Sequence, residues 1–326
     1  MRGLLWRGVS RALVMVMLLA AAAAPARADY PDRPIRLLLP FPPGGAVDLV
    51  ARLLAARLSD DLGRPFVVES RPGAGGILAT DAAAKAAPDG YTLLLTTPNH
   101  TINAVLNPKL PYDTEKDLLP VAIVAEIPEV LVSHSAAPFA TFPAFVDYAR
   151  RHPGELNYAS AGNGTLPHVT MELLLRRLGI KVAHIPYKGA APAMTDLLAG
   201  QVQLKMDTHA TSAAHVAAGR LRALAIASPA RSVLAPDLPT VAELGLPGYE
   251  GILWIGMMAP AGAPKAVIDK LAAACARAVR SADLIGRFQR DGIEPGGDTP
   301  DTFGARINRE IAQWRDLIQA VRITAD

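Results

Sequence analysis

A chain of 326 residues that is 51% hydrophobic and 19% charged holds enough apolar material for two packed domains, which excludes a disordered or low-complexity protein. Residues 1–28 carry four of the 33 Lys and Arg and none of the 30 Asp and Glu, so the formal net charge of +3 becomes −1 without them. No basic cluster is then left to mark a nucleic-acid surface, and a single cysteine, Cys275, excludes an intramolecular disulfide.

The excess positive charge belongs to the N-terminal segment. Arg2, Arg7 and Arg11 precede an apolar run over residues 12–24, followed by Pro25 and Ala26-Arg27-Ala28. The run is shorter than the about 20 residues a membrane-spanning helix needs. With its small-x-small site it reads as a secretory signal peptide over residues 1–28, the alternative being an uncleaved anchor. The mature chain is expected to start near Asp29, in the periplasm.

Beyond that point short apolar strands alternate with amphipathic helices. Strands are expected at 35–40, 66–69 and 91–96, with helices at 47–58 and 76–87 between them. This order implies a mostly parallel sheet covered on both faces. Extended pieces follow at 119–126 and 129–133, then a helix at 142–151 and a strand at 156–160. A helix at 166–178 stops at Gly179, a strand runs over 182–186, and a helix at 191–199 stops at Gly200. Strands at 202–206 and 221–227 complete this module. A stretch with Pro229, Pro236, Pro239 and Pro247 resembles a linker; a strand at 251–258 and helices at 264–280 and 301–321 end the chain. Two such modules predict two α/β lobes with a ligand at the carboxyl ends of the strands, in the cleft between them. Cys275, in an alanine-rich helical stretch, reads as a small buried apolar residue rather than a reactive thiol.

Three strand-to-helix turns are rich in glycine. They are Pro40-Phe-Pro-Pro43-Gly44-Gly45 with Asp48 beyond it, Arg71-Pro-Gly73-Ala-Gly75-Gly76, and Ser160-Ala-Gly162-Asn163-Gly164-Thr165 with His168 beyond it. Glycine lets the backbone approach a ligand closely, and a helix N-terminus behind the turn supplies free N–H donors and a positive partial charge suited to an anion. None of the turns fits G-x-G-x-x-G or carries the Lys-Ser/Thr of a phosphate loop. The third holds no Arg or Lys, so a carboxylate gripped by N–H and hydroxyl donors (Ser160, Thr165) suits it better than a phosphate. Thr165 is placed as N-cap of the next helix, with Pro167 just inside it. There is no G-x-S-x-G nucleophile elbow. The seven histidines (100, 134, 152, 168, 184, 209 and 215) form neither H-E-x-x-H nor a tight ligand cluster. No metal, no cofactor and no catalysis are expected.

These turns, together with Tyr30-Pro-Asp-Arg-Pro-Ile35, Ala87-Pro-Asp-Gly-Tyr91, Asn157-Tyr-Ala-Ser160, Ile185-Pro-Tyr-Lys-Gly189, Asp196-Leu-Leu-Ala-Gly-Gln-Val202 and Leu238-Pro-Thr-Val-Ala-Glu243, resemble the substrate-binding family of the tripartite tricarboxylate transporters, also called the Bordetella uptake gene family. The likeness runs in order through residues 29–326. It implies a two-lobed periplasmic-binding-protein fold (Venus flytrap, type II-like), each lobe a mostly parallel sheet flanked by helices. The lobes would be 29–128 with 248–326, and 129–247, with hinge crossovers near 125–130 and 228–250. It further implies a monomeric receptor that closes on a small organic carboxylate (a di- or aromatic carboxylate, or an acidic amino acid) and delivers it to integral-membrane permease subunits. A sensor presenting its ligand to a two-component kinase, and an exported hydrolase, are the alternatives. Carried over residue by residue, the ligand contacts would be Pro43, Gly44, Gly45 and Asp48 in one lobe, and Ser160, Gly162, Asn163, Gly164, Thr165 and His168 in the other.

Some positions depart from that pattern. Lys205 stands where Met or a similar residue is expected, two residues before Asp207. It either reaches the cleft to pair with a second carboxylate or faces solvent at a strand end. Asn99, after the third strand, is a further candidate contact or an exposed turn residue. Asp48 would repel a bound carboxylate unless it meets water, a cation or a ligand amine, or caps its helix; a water-mediated role is favoured. Trp254 either walls the cleft or packs in the core.

Overall fold

The computed structural model describes residues 30–321 and residue 323, so the candidate signal peptide lies outside the described residues. Residues from Arg33 onward form one unit. Within it the first strand, β1 (Ile35–Leu39), is buried except at Arg36 and pairs along both edges with parallel strands, β2 (Phe66–Ser70) and β3 (Thr92–Thr96). Helix α1 (Ala46–Leu62) buries Val47, Val50, Leu54 and Leu58 at helical spacing and ends at Gly63, whose φ of 68° only glycine adopts cheaply. Helices α2 (Ile77–Ala84) and α3 (Asn99–Leu106) follow β2 and β3.

The next strand, β4 (Leu118–His134), runs continuously where the sequence suggested two pieces. Pro128 interrupts the apolar pattern without breaking the strand, because it sits where β4 changes partner. Leu118 to Pro128 pair with β9 (Ile252–Pro260), and Glu129 onward pairs with β7 (Leu204–Thr208) and β8 (Leu221–Ile226). Around Glu129 the chain meets itself three times over: the N–H of Glu129 donates to Gly251 O, and those of Ala227 and Gly251 donate to Glu129 O and Ala227 O, each at 2.8 Å.

Past that point come α4 (Phe142–Arg151), β5 (Asn157–Ser160), α5 (Leu166–Leu178), β6 (Ala183–Pro186), α6 (Ala190–Leu198), β7, α7 (His209–Ala217) and β8. The strand order β2-β1-β3-β9-β4-β7-β5-β6 is parallel at both ends and antiparallel through β9 and β4. Helices α8 (Lys265–Val279) and α9 (Ala282–Arg290), the two-residue β10 (Glu294–Pro295) and α10 (Pro300–Val321) complete the chain.

The core follows the sheet. One cluster joins Phe145, Tyr158, Leu174 and Met206; another joins Leu94, Trp254, Phe303 and Ile307. Trp254 is a core residue: it is fully buried, edge-on to Phe303, and its indole N–H donates to Glu310 at 2.8 Å. Gly256 on β9 is required by this packing, since a Cβ there would lie 2.4 Å from the Phe303 ring. Cys275 is buried beside Met257, and burial pushes its thiol up to about 12, which matches a structural cysteine.

Candidate ligand-binding site

The strand registers bring the candidate turns to one place. β3 ends at Thr96, level with Ile123 of β4 through Gly256 of β9, while β7 ends at Thr208, level with Glu129. The two strands run toward each other from opposite sides, and their ends are six positions apart along β4, about 20 Å at the usual strand rise. β1 lies beside β3 and β5 beside β7. The turns after β1, β3, β5 and β7 therefore face each other across the middle of β4, at the carboxyl ends where open α/β sheets bind ligands.

On the first side, Pro43, Gly44 and Gly45 are exposed, and no atom lies within 4 Å of a Cβ built on either glycine. Asp48 is buried in the first turn of α1; its Oδ2 accepts the Gly44 N–H and the Arg52 Nε–H, each at 3.0 Å. The Arg52 guanidinium first, and the Gly44 N–H with it, hold this carboxyl below the usual carboxylate range. Of the roles open to it from the sequence, Asp48 thus meets a cation, Arg52, and holds the turn before α1 through Gly44, while the N-cap residue Gly45 has no side-chain cap. Asn99 is half-buried as the first residue of α3. His100 beside it is buried, and burial pushes its pKa down to about 4, so it is neutral at physiological pH.

The second side is wired internally. Ser160 Oγ accepts the Gly162 N–H at 3.1 Å and lies 2.7 Å from His184 Nε2. Thr165 occupies the N-cap position of α5, but its hydroxyl donates to Gly162 O at 2.7 Å instead of capping the helix. The Gly164 N–H donates to His168 Nδ1 at 3.0 Å. His168 is buried and stacks on His184 with centroids 3.9 Å apart; His184 stacks in turn on Tyr158 at 4.8 Å. Ser160 and His168 therefore shape the loop from beneath, while Asn163 is half-buried above them. A Cβ on Gly164, at φ 68°, would lie 2.1 Å from Leu106 of α3, so this glycine lets the third loop rest on the opposite side's helix.

Lys205 is 1% exposed and does not face solvent: its ammonium is paired with Asp207 Oδ1 inside the sheet. Asp207 Oδ2 accepts from Thr211 Oγ1 at 2.7 Å. Thr211 and His209 join Gly44, Gly45, Asp48 and Arg52 in lining a cavity of about 630 Å³. Glu129, buried next to this pair and accepting from Thr170 Oγ1 at 2.6 Å, has its pKa raised to about 8 by burial. The cavity gathers the first turn with the start of α7. Ser160, Gly162, Asn163, Gly164, Thr165, His168 and Asn99 do not line it. Arg52, Thr211, His209, His184 and Tyr158 were not singled out from sequence; only the Asp48–Arg52 spacing of four on a helix carried a readable signal.

Two α/β halves that present facing turns across shared crossing strands have the two-lobed architecture of periplasmic binding proteins. The chain belongs to the tripartite tricarboxylate transporter family of receptors: the model of the tripartite tricarboxylate transporter family receptor matches residues 50–323. It is 40% identical over 303 residues to BugT of Bordetella pertussis, covering 92% of this chain and 93% of that one. Among solved structures, an R. palustris protein with adipate is 34% identical, covers 91% of this chain and 99% of its own, and superposes with a TM-score of 0.82. MatC from Rhodopseudomonas palustris with bound malate is 34% identical, with 89% and 100% coverage and a TM-score of 0.78.

Proposed function

We propose that this protein is a periplasmic receptor that captures a small organic carboxylate between its lobes and passes it to integral-membrane permease subunits, without catalysis. The observation that carries this reading is the convergence of two glycine-rich turns, each opening a helix, from opposite sides of β4, an arrangement suited to gripping an anion through backbone N–H groups. Relatives with bound adipate and malate support a carboxylate as that anion. Residues 1–28 would direct export. The lobes would be 29–128 with 248–326 and 129–247, hinged where Glu129, Ala227 and Gly251 share hydrogen bonds. Gly44, Gly45, Asp48 and Thr211 would form one wall of the site, and the loop Ser160–Thr165 the other, with Asn99, His168, Lys205 and Asp207 holding or flanking it.

The thermal midpoint of the mature protein, titrated with mono-, di- and aromatic carboxylates, tests the reading. A ligand that binds only the native state adds about 2.7 kcal/mol at a hundredfold excess over Kd, a rise of about 4 °C for a chain of this size. If no carboxylate moves the midpoint and a neutral solute does, the carboxylate reading is wrong.

One contact favours the hydrolase alternative: the 2.7 Å approach of His184 Nε2 to Ser160 Oγ. Ser160 is fully buried and its hydroxyl already accepts the Gly162 N–H, so a substrate carbonyl has no approach to it. Turnover of a bound ester by the purified protein, lost in Ser160→Ala, would establish that reading instead.

A further inference from the structure

The charged groups on the turns at the strand ends are mostly engaged with one another. After β1, Asp48 is paired with Arg52; after β2, Arg71 is paired with Glu69; at the end of β7, Asp207 is paired with Lys205. The turns after β3 and β5, residues 97–99 and 161–165, contain no ionisable side chain. The turn after β6 differs. Lys188 is exposed there, and among the described residues it has no carboxylate partner.

This turn is fixed to the third glycine loop. The N–H groups on either side of Lys188 both donate into it, Tyr187 N to Ser160 O and Gly189 N to Ala161 O, each at 3.1 Å. A Cβ on Gly162 would come within 3.2 Å of Tyr187 O, so the two turns are in contact with no room for a side chain between them. The Tyr187 hydroxyl donates to Asp196 at 2.7 Å and ties the turn to α6, and Gly189, at φ 113°, lets the backbone change direction into that helix. The third loop lacks a cation in its own sequence but has one beside it in the fold, on a turn that four contacts hold in place.

We infer that Lys188 is the charge-reading residue of the site: it stands at the rim of the third loop and selects ligands with a second carboxylate over singly charged ones. This rests on the carboxylate-receptor reading above and narrows it to dicarboxylates. A free ammonium within about 6–8 Å of a second carboxylate, in a partly solvated cleft, changes affinity by about 3- to 10-fold. It does so for the doubly charged ligand only, and the effect is weakened by salt.

The test is calorimetric titration of the full mature chain with saturated diacids from malonate to pimelate and with their monomethyl esters. The expected result is that Lys188→Gln loses about 3- to 10-fold on the best diacid and less than twofold on its ester. Lys188→Arg should keep most of the diacid affinity, and 0.5 M NaCl should shrink the wild-type preference. The thermal midpoint of the free Lys188→Gln protein should equal wild type, since the residue is exposed and unpaired. If wild type binds diacids and Lys188→Gln binds them equally well, or loses acid and ester alike, the role of Lys188 is refuted and the receptor reading stands. If wild type binds none of these acids or esters, the receptor reading falls and this inference with it.

Discussion

The two sides of the cleft begin from similar sequence and end in different physics. The turn after β1 and the turn after β5 are both glycine-rich and both open a helix, yet Gly44 and Gly45 are exposed with open space around them while Gly164 is buried against Leu106. The first side's ion pair, Asp48–Arg52, has its arginine 57% exposed; the second side's, Lys205–Asp207, is 1% and 5% exposed. A turn whose neighbours are solvent can adjust to a ligand. One whose hydrogen bonds run to Ser160, His168 and His184 is set before the ligand arrives, so less ordering entropy is lost on binding.

The strongest way to break this contrast is to remove one cation from each side. Lys205→Met leaves the Asp207 carboxylate buried with only the Thr211 hydroxyl, and losing one partner of a buried pair costs about 3–5 kcal/mol. Arg52→Met, on the solvated side, should cost less than about 1 kcal/mol. Urea unfolding of both variants measures the difference, and adding Asp207→Asn to Lys205→Met should recover part of the loss. Equal effects at Lys205 and Arg52 would mean that the two sides do not differ in the way burial indicates.

The glycines sharpen the comparison at a smaller scale. Gly164→Ala combines left-handed backbone strain of about 1–2 kcal/mol with overpacking against Leu106 of about 1–3 kcal/mol. Gly44→Ala meets only the strain. In a Leu106→Ala background the Gly164 penalty should fall toward the Gly44 value, as a double-mutant cycle reports for residues in contact. Additivity in that cycle would show that Leu106 does not set the loop's position.

The sequence made β1 and β3 readable as short apolar runs, α1, α5 and α10 readable because each repeats the helical period, and the three loops readable because glycine and proline mark turns. It hid the continuity of β4, since Pro128 reads as a break until its place at the partner change is known. It also hid α3 and α7. The buried face of α3 includes His100, Thr101 and Asn103, and α7 fully buries only Ser212, so neither shows an apolar stripe. For Asp48 the sequence left water, a cation or a ligand amine, and the helix start open, and its cation is Arg52, one helical turn on. Solvent does not describe Lys205, which is buried because its partner lies two residues away on the same strand, the spacing that puts both side chains on one face. His184 could not be found at all: its link to Ser160 arises from the pairing of β5 with β6, which no local pattern encodes.

Glu129 gives the gentlest probe, because it changes the buried side's charge without a change of shape. Burial raises its pKa to about 8, Thr170 and Lys205 oppose that rise, and Asp207 adds to it. The folded state therefore holds a proton that the unfolded chain releases near the ordinary carboxylate value of about 4.3. The contribution of the neutral carboxyl is fully present below that value and is lost as pH rises through about 8. One proton sets a slope of at most about 1.4 kcal/mol per pH unit. Urea unfolding between about pH 5 and 8 should show wild-type stability falling with pH and a flatter profile for Glu129→Gln, whose amide still accepts from Thr170. Asp48, whose carboxyl is held low, works in the opposite direction and only in acid, so a parallel profile for Asp48→Asn should match wild type throughout this window. If Glu129→Gln tracks wild type instead, the proton is not held at Glu129, and the buried side is wetter than its packing implies.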